Sequence, residues 1–286
     1  MNFAEIPEEY CKYENSQYVL LPVPFDGTST WVKGADKGPD ALIESSINME
    51  WYDIETDSEP FKKGIFIEKP IKGYSLPEEL LDPVYNRINE FIQGGKFVFT
   101  IGGEHSVSIG SIKAHFDNFK DVTIIQFDAH TDLRQEYLGS RYNHACVMAR
   151  VKDFTNKFVQ VGIRSMDMAE KEEVLADRIF YAENIAGKTD WHDKLLNLIT
   201  DNVYITFDLD VFDPSIMSST GTPEPGGMLW YETIHILKRI IETKNLIGMD
   251  IVELCPNESN KAPDYLAAKL LYKVMAYKEC KGKSYK

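Results

Sequence analysis

Short runs that are apolar almost throughout constrain the fold of this chain most. A representative run is Val-Thr-Ile-Ile-Gln-Phe at Val122–Phe127. A strand that is apolar on both faces belongs in the middle of a parallel sheet covered by helices. Amphipathic stretches alternate with these runs, and in Trp230–Thr243 the apolar residues recur at spacings of three and four. This alternation predicts an α/β fold, a three-layer α/β/α sandwich with a mostly parallel eight-stranded sheet.

The same patterns give the approximate bounds of the elements. The predicted strands are Tyr18–Val23, Gly64–Glu68, Phe97–Ile101, Val122–Phe127, Phe158–Gly162, Arg178–Tyr181, Val203–Phe207 and Ile247–Ile251. The predicted helices are Glu78–Gln93, Trp191–Thr200, Trp230–Thr243 and Pro263–Tyr277. A Pro near the start of a helix is indicated at Gly38–Asp40. No linker-like segment or internal repeat divides the chain, so we expect one domain over residues 1–286.

Composition excludes several classes of partner. The formal net charge is −14, and without a basic run or patch we expect no nucleic-acid partner. No stretch approaches the roughly 18 apolar residues of a membrane span, so we expect no membrane partner. The four cysteines form no CxxC pair, and the acidic N-terminus lacks the features of an export signal. The expected compartment is therefore the cytoplasm.

Metal-type side chains follow four of the predicted strands. The segments concerned are Gly102–Ser106 (GGEHS), Asp128–Asp132 (DAHTD), Asp208–Asp210 (DLD) and Glu253. In an open parallel sheet, ligands bind beyond the carboxyl ends of the strands, so these segments are expected to meet at one edge. Just past a strand end, alternate residues can point to one locus. The candidate metal ligands are His105, Asp128, His130, Asp132, Asp208 and Asp210.

This set of ligands indicates two cations rather than none. Four carboxylates cannot share one site without cations, because like charges raise one another's pKa. Oxygen-rich ligation with two imidazoles and no thiolate suits Mn²⁺ better than a structural Zn²⁺. Two divalent ions about 3.5–4 Å apart can hold a bridging hydroxide at neutral pH, which is a hydrolytic nucleophile. An isolated Asp-x-Asp is more often a loop or a helix cap, but here three clusters each follow a separate strand.

The remaining polar candidates keep two interpretations each. His144 follows the loop after DAHTD and is either a proton shuttle or a structural residue. Glu253 either clamps a cationic group in the cleft or forms a surface salt bridge. Asp250 is either a group at the sheet edge or a support for the ligands. Three further histidines lie in helical stretches and are interpreted as structural or surface residues: His115, His192 and His235.

Glycine and proline give the last indications. Gly102-Gly103 allows a sharp turn before His105, and the Pro/Gly-rich loop Thr220–Gly227 is expected to shape the mouth of the site. The sequence contains neither G-x-G-x-x-G nor a P-loop, so no nucleotide cofactor is expected.

Together these motifs resemble the ureohydrolases, the family of arginases, agmatinases, guanidinobutyrases, proclavaminate amidinohydrolases and formimidoylglutamases. GGEHS, DAHTD, the stretch DLDVFDP at Asp208–Pro214 and MDIVELCP at Met249–Pro256 agree with the family in order and spacing. Pro24–Gly27 and Gly38–Asp40 extend the resemblance over nearly the whole chain. One departure is Ser218, where the family usually has Pro; it affects the loop and not the ligand set.

The resemblance implies a role for each candidate residue. One Mn²⁺ would be held by His105, Asp128, Asp132 and Asp208, and the other by His130, Asp128, Asp208 and Asp210. Asp132 would also accept a hydrogen bond from the bridging hydroxide, His144 would be the mobile proton shuttle, and Glu253 would orient the guanidinium. The hydroxide would attack the guanidinium carbon, and the tetrahedral intermediate would collapse to urea and an amine.

The loop after DAHTD is most similar to that of the bacterial agmatinases. The resemblance lies in YNHACVM at Tyr142–Met148 and in GIRS at Gly162–Ser165. The expected reaction is agmatine to putrescine and urea, a step of polyamine biosynthesis. Arg134 stands where arginases tend to have an Asn, and it would suit a carboxylate substrate unless Glu136 neutralises it. Asp167 is a candidate partner for the distal amine of a small cationic guanidinium substrate.

Three alternatives remain open at this point. Guanidinobutyrase, arginase and formimidoylglutamase are the other ureohydrolase activities. A metal-binding regulatory protein without turnover is a different class, which retention of His144 and Glu253 disfavours. A metal-dependent deacylase fits guanidinium chemistry less well. Since family members are commonly trimers or hexamers, the resemblance also implies a homo-oligomer.

Overall fold

The apolar runs form the strands of one mostly parallel sheet. The structure is a computed structural model and describes residues 2–282. Within those residues the sheet has eight strands, and their order is β2-β1-β3-β8-β7-β4-β5-β6. The strands are β1 (Tyr18–Val23), β2 (Ile65–Ile67), β3 (Phe97–Gly102), β4 (Val122–Phe127), β5 (Phe158–Ile163), β6 (Ile179–Tyr181), β7 (Asn202–Asp208) and β8 (Asn245–Val252). The predicted fold is confirmed, with each strand within two residues of its predicted bounds.

Helices cover both faces of the sheet. They are α1 (Gly38–Ser46), α2 (Leu81–Gln93), α3 (Ser108–Asn118), α4 (Val147–Lys152), α5 (Ala182–Ile185), α6 (Trp191–Leu198), α7 (Trp230–Thr243) and α8 (Ala262–Glu279). Helix α3 contacts both α2 and α4 in one layer, whereas α8 contacts α1 and α7 in the other. The predicted helix from Glu78 is split, because a 3-10 turn at Pro77–Glu79 precedes α2.

The two faces of the sheet build separate parts of the core. Phe97 and Phe99 of β3 pack in a cluster with residues of α1 and α8. Val98, between them, packs instead with Val84 and Ile88 of α2. Alternate side chains of a strand point to opposite faces, so a strand covered on both sides must be apolar at successive positions.

The register of the central strands brings the polar segments to one level. Phe127 at the end of β4 pairs with Phe207 of β7. Phe207 in turn pairs with Ile251 of β8, and Ile101 of β3 pairs with the same residue. The residues that follow these four strands therefore leave the sheet side by side, which assembles the site described next.

The helices also bear on the question of membrane insertion. Within residues 2–282, none of them combines the length and the apolar composition needed to cross a bilayer.

Candidate metal centre

His105 lies at the centre of a group of buried carboxylates. It begins the 3-10 turn after β3 and is 1% exposed. Its Nδ1 atom lies 2.9 Å from Oδ2 of Asp132, 3.2 Å from Oδ2 of Asp128 and 3.4 Å from Oδ2 of Asp208. His105, Asp128 and Asp132 together form a group whose donor atoms are close enough to hold a metal ion.

His130 forms a second group that shares one carboxylate with the first. Its Nδ1 atom lies 2.9 Å from Oδ2 of Asp210 and 3.6 Å from Oδ1 of Asp128. Asp128, His130 and Asp210 also meet the spacing of a metal site. All six predicted ligands are thus brought together at the edge of the sheet.

Backbone amides orient three of the carboxylates. Oδ1 of Asp128 accepts from the N–H of His130 at 2.6 Å, and Oδ1 of Asp210 accepts from the N–H of Ala129 at 2.9 Å. Oδ1 of Asp208 accepts from the N–H of Asp210 at 2.8 Å. Each of these bonds engages Oδ1 and turns Oδ2 toward the histidines of the centre, so the local backbone pre-orients the carboxylates.

The hydrogen bonds of His105 show that its free nitrogen suits a cation. The hydroxyl of Thr206 donates its proton to Oδ1 of Asp250 at 2.8 Å. It must therefore accept from Nε2–H of His105, which lies 2.8 Å away. Nδ1 then carries a lone pair, is buried, and has no hydrogen-bond partner among residues 2–282. A lone pair among carboxylate oxygens is stable only with a cation between them, so the residues present fit a metal centre.

The pKa values describe the same excess of negative charge. Burial and the charge of Asp128 raise the pKa of Asp132 to about 7. Burial and the charges of Asp210 and Asp128 raise the pKa of Asp208 well above its ordinary value. Carboxylates this close hold their negative charge together only when cations neutralise them.

Glu253 lies within the same site. It is 8% exposed and follows β8 with a left-handed backbone, φ 66°. Its Oε1 accepts a hydrogen bond from the N–H of His105 at 2.7 Å. Burial and the charge of Glu104 raise the pKa of Glu253 well above its ordinary value. The alternative of a surface salt bridge is therefore wrong, since the carboxylate lines the cavity.

His144 lies across the cavity, at the start of the 3-10 turn that precedes α4. Its Nδ1 atom is 2.9 Å from the hydroxyl oxygen of Thr28. The ring of Tyr137 meets the imidazole edge-on, with centroids 6.3 Å apart. Burial, followed by the imidazoles of His105 and His130, lowers the pKa of His144 to about 4. The ring is therefore neutral near pH 7.

Arg134 lies in the cavity and is paired with carboxylates. Its Nη2 atom lies 3.3 Å from Oδ2 of Asp167, and its Nε atom lies 3.8 Å from Oε2 of Glu170. Its guanidinium carbon stands 4.3 Å from the centroid of the Tyr137 ring. The sequence suggested Glu136 as the neutralising group, but the carboxylates in contact are those of Asp167 and Glu170.

These residues line a cavity of about 300 Å³. Its lining includes Trp31, which is 72% exposed, and Gly221 and Thr222 of the Pro/Gly-rich loop. Arg164 fastens that loop, because its guanidinium donates to the carbonyl of Asp210 at 2.6 Å and to that of Glu224 at 2.7 Å. The loop thus shapes the mouth of the site, as its composition predicted.

Sequence reasoning missed several residues that support the centre. Gln126 donates to Oδ2 of Asp128 at 2.7 Å and accepts from Gln160 at 2.6 Å. Thr206 precedes Asp208 by two positions on β7 and therefore lies on the same face of the strand. A polar residue at that position of an apolar strand was the sequence signal that could have identified it as a support of the centre. Asp250 is buried in β8 between β3 and β7, which excludes the sheet-edge interpretation.

The other histidines lie away from the centre. His115 is buried in α3, where its Nδ1 atom contacts the carbonyl of Ser111 at 2.8 Å. His192 is buried beside Trp191, and His235 lies near Tyr231 on α7.

Comparison with known proteins places this geometry in a family. The profile of the arginase family matches residues 16–277. The N(1)-aminopropylagmatine ureohydrolase of Synechocystis sp. is 34% identical over 280 residues, which cover 94% of this chain and 92% of that protein. The agmatinase of Pyrococcus horikoshii is 31% identical, with 92% of each chain covered. The agmatine ureohydrolase of Thermoplasma volcanium superposes with a TM-score of 0.87 at 29% identity, covering 98% of this chain and 95% of that one.

Fold and site together define a hydrolase with a cluster of candidate metal ligands. The chain belongs to the arginase family. It is a ureohydrolase, an enzyme that acts on amidino C–N bonds, and the class expected from the sequence is confirmed.

Proposed function

We propose that this ureohydrolase is an agmatinase, which hydrolyses agmatine to putrescine and urea. The observation that carries the proposal is the charge of the cavity. Among the described residues that line it, Arg134 is the only lysine or arginine, and Asp167 and Glu170 neutralise it. A substrate whose distal group is a carboxylate would find no free cation there. A distal amine is instead attracted by the acidic wall.

The residues at the centre suit two Mn²⁺ ions. One would be held by His105, Asp128, Asp132 and Asp208, and the other by His130, Asp128, Asp208 and Asp210. When bound, the ions would supply Lewis acidity and lower the pKa of water in the site. The preference for Mn²⁺ rests on the oxygen-rich, thiolate-free donor set.

The protein side chains have separate tasks in this proposal. Glu253 would hold the guanidinium group through charge-assisted hydrogen bonds and orient its carbon toward the attacking water. Asp132 would accept a hydrogen bond from that water. His144, neutral near pH 7, would take up a proton and deliver it to the departing amine.

A second candidate substrate is N(1)-aminopropylagmatine, on which the Synechocystis relative is named to act. One observation favours it. The carboxylate of Glu224 stands outside the neutralised Arg134 group, with Oε1 3.9 Å from Nε2 of His130 and its side chain 37% exposed. The longer substrate carries an additional primary ammonium at the end of its aminopropyl arm, and that group would have a partner there.

The test is urea release with and without Mn²⁺. The panel is agmatine, N(1)-aminopropylagmatine, arginine, 4-guanidinobutyrate and formimidoylglutamate. We expect the two amines to be hydrolysed about tenfold or more faster, in kcat/KM, than the substrates with a carboxylate. Preference for 4-guanidinobutyrate by the same factor would contradict the proposal. The Glu224→Gln variant distinguishes the two amines, because it should weaken only the longer one.

Three further expectations accompany this function. We propose one ureohydrolase domain over residues 1–286, supported by a single sheet whose strands run from Tyr18 to Val252. We propose a homo-oligomer, a trimer or hexamer, on the resemblance to the family, and light scattering of the purified protein tests it. The proposed compartment is the cytoplasm.

A further inference from the structure

Thr28, in the loop after β1, contacts His144 at two atoms. The hydroxyl oxygen of Thr28 lies 2.9 Å from Nδ1 of His144 and 3.0 Å from its backbone nitrogen. The same oxygen lies 2.6 Å from Oε2 of Glu104, which also accepts from the N–H of Thr28 at 2.5 Å. Thr28 therefore connects a buried carboxylate to the imidazole.

The geometry determines where the protons lie. A hydroxyl has one proton to donate and two lone pairs to accept with. The backbone N–H of His144 occupies one lone pair of Thr28. The hydroxyl proton goes to the carboxylate of Glu104. The second lone pair must therefore accept from Nδ1–H. All three positions of the hydroxyl are then used, and the ring nitrogen left for the cavity, Nε2, is unprotonated.

The carboxylate at the far end is held rigidly. Glu104 is 0% exposed, and the hydroxyl of Ser106 donates to its other oxygen. Three donors surround this carboxylate, namely the hydroxyl of Ser106 and the N–H and hydroxyl of Thr28. The turn before it is equally tight, because a Cβ at Gly103 would lie 2.0 Å from the carbonyl oxygen of Phe25.

The loop that carries Thr28 is fixed at its other end as well. Oδ2 of Asp26 accepts from the N–H of Gly34 at 2.6 Å and from that of Ala35 at 3.2 Å. The backbone of Glu104 donates to the carbonyl of Phe25 at 2.8 Å. Two separate sets of hydrogen bonds thus hold the loop around Thr28, so its hydroxyl has a fixed position and can orient the imidazole of His144.

We propose that Thr28 and Glu104 are positioning residues that hold His144 in its Nδ1–H tautomer, with the Nε2 lone pair facing the cavity. This inference rests on the proposed role of His144 in proton transfer. In that role Nε2 takes up a proton that the attacking water releases, and the ring becomes imidazolium. As the C–N bond breaks, Nε2–H gives the same proton to the departing amine nitrogen, and the ring returns to neutral. The proton on Nδ1 stays in its bond to Thr28 throughout.

The tautomer can be observed directly by NMR. The full-length protein is labelled with ¹⁵N-histidine and loaded with Zn²⁺ in place of paramagnetic Mn²⁺. The His144 signals are assigned by their loss in His144→Asn. We expect the wild-type ring to carry its proton on Nδ1, and Thr28→Val to shift it toward Nε2. A wild-type ring protonated on Nε2, or a tautomer unchanged in Thr28→Val, would overturn the proposal.

Kinetics separate positioning from folding. Thr28→Val should lower kcat for agmatine about tenfold or more, with KM and bound Mn²⁺ close to wild type. Thr28→Ser keeps the hydroxyl and should recover most of the lost kcat. Thr243→Val, at the end of α7 and before the first residue of β8, is the matched control. Equal losses of kcat in Thr28→Val and Thr28→Ser would contradict the proposed positioning of His144. If wild type releases no urea from agmatine, the proposed function fails. The tautomer measurement still tests whether Thr28 positions His144.

Discussion

Nδ1 of His130 lies 2.9 Å from Oδ2 of Asp210 and 3.6 Å from Oδ1 of Asp128, whereas His105 approaches the other oxygen of Asp128, Oδ2, at 3.2 Å. Among the described residues, Asp128 is the one that belongs to both candidate metal groups. The two groups therefore depend on each other through this carboxylate. Removing it should affect both, whereas removing His130 should affect one.

This difference predicts distinct metal contents. Asp128→Asn should bind almost no Mn²⁺ and lose nearly all activity, because both ions lose a shared ligand. His130→Ala should keep about one ion per chain but also lose nearly all activity. Elemental analysis of purified protein, together with urea release, measures both quantities. Asp117→Asn, which removes an exposed carboxylate paired with Lys113, is the control. Wild-type turnover in either ligand variant would refute the assignment.

The pairing of Arg134 with Asp167 predicts how substrate preference can be changed. In Asp167→Asn the guanidinium of Arg134 loses one of its two carboxylate partners and becomes available to an anionic group. The ratio of kcat/KM for agmatine to that for 4-guanidinobutyrate should fall about tenfold, which corresponds to about 1.4 kcal/mol. Asp193→Asn, which breaks an exposed pair with Arg239, should leave the ratio unchanged. An unchanged ratio in Asp167→Asn would show that Arg134 does not face the substrate.

The buried carboxylate of Glu253 should act on the substrate and not on the metals. Glu253→Gln keeps the size of the side chain and removes its charge, so the guanidinium loses a charge-assisted bond. We expect kcat/KM for agmatine to fall about a hundredfold, with bound Mn²⁺ unchanged. The control is Glu258→Gln, since Glu258 is exposed in the loop after β8. A loss of metal in Glu253→Gln would assign the residue to the centre instead.

His115 predicts how stability depends on pH, independently of the site. Burial lowers its pKa from 6.5 to about 4. Between these two pKa values His115 is protonated in the unfolded chain and neutral in the folded chain. Its contribution to the free energy of unfolding is therefore fully present above pH 6.5 and decreases as the pH falls toward 4. The full contribution is on the order of 3 kcal/mol.

Denaturant unfolding of the metal-free protein between these pH values measures this effect. His115→Gln cannot titrate, so its free energy of unfolding should change less steeply with pH than that of wild type. Removing the metal first prevents the pH dependence of metal binding from contributing. Parallel slopes for wild type and variant would mean that His115 is not the responsible group.

The sequence predicted the frame of the site because that frame depends on local pattern. Apolar runs located each strand, and the rule that ligands lie beyond parallel strand ends brought the six ligand positions together. Helix α3 lacked a clear signal, because its polar residues Ser108, Ser111 and His115 are themselves buried. An apolar stripe cannot reveal a helix that buries its polar side as well.

The partners of the site residues could not be predicted, because they come from distant parts of the chain. Glu136 was the nearest acidic candidate for Arg134, yet the observed partners, Asp167 and Glu170, are more than 30 positions away. Thr28 and Glu104 are 76 positions apart and meet only because β1 lies beside β3. Such contacts follow from strand order, which the pattern of single elements does not contain.

The backbone at Asp132 and Glu253 has φ values of 53° and 66°, a conformation that favours glycine. Each such residue costs the folded state on the order of 1–3 kcal/mol. A laboratory selection for heat resistance alone would therefore be drawn to glycine or asparagine at these two positions. The selected variants would have a higher melting temperature but no hydrolytic activity. Thermal stability and turnover should therefore be screened together in this enzyme.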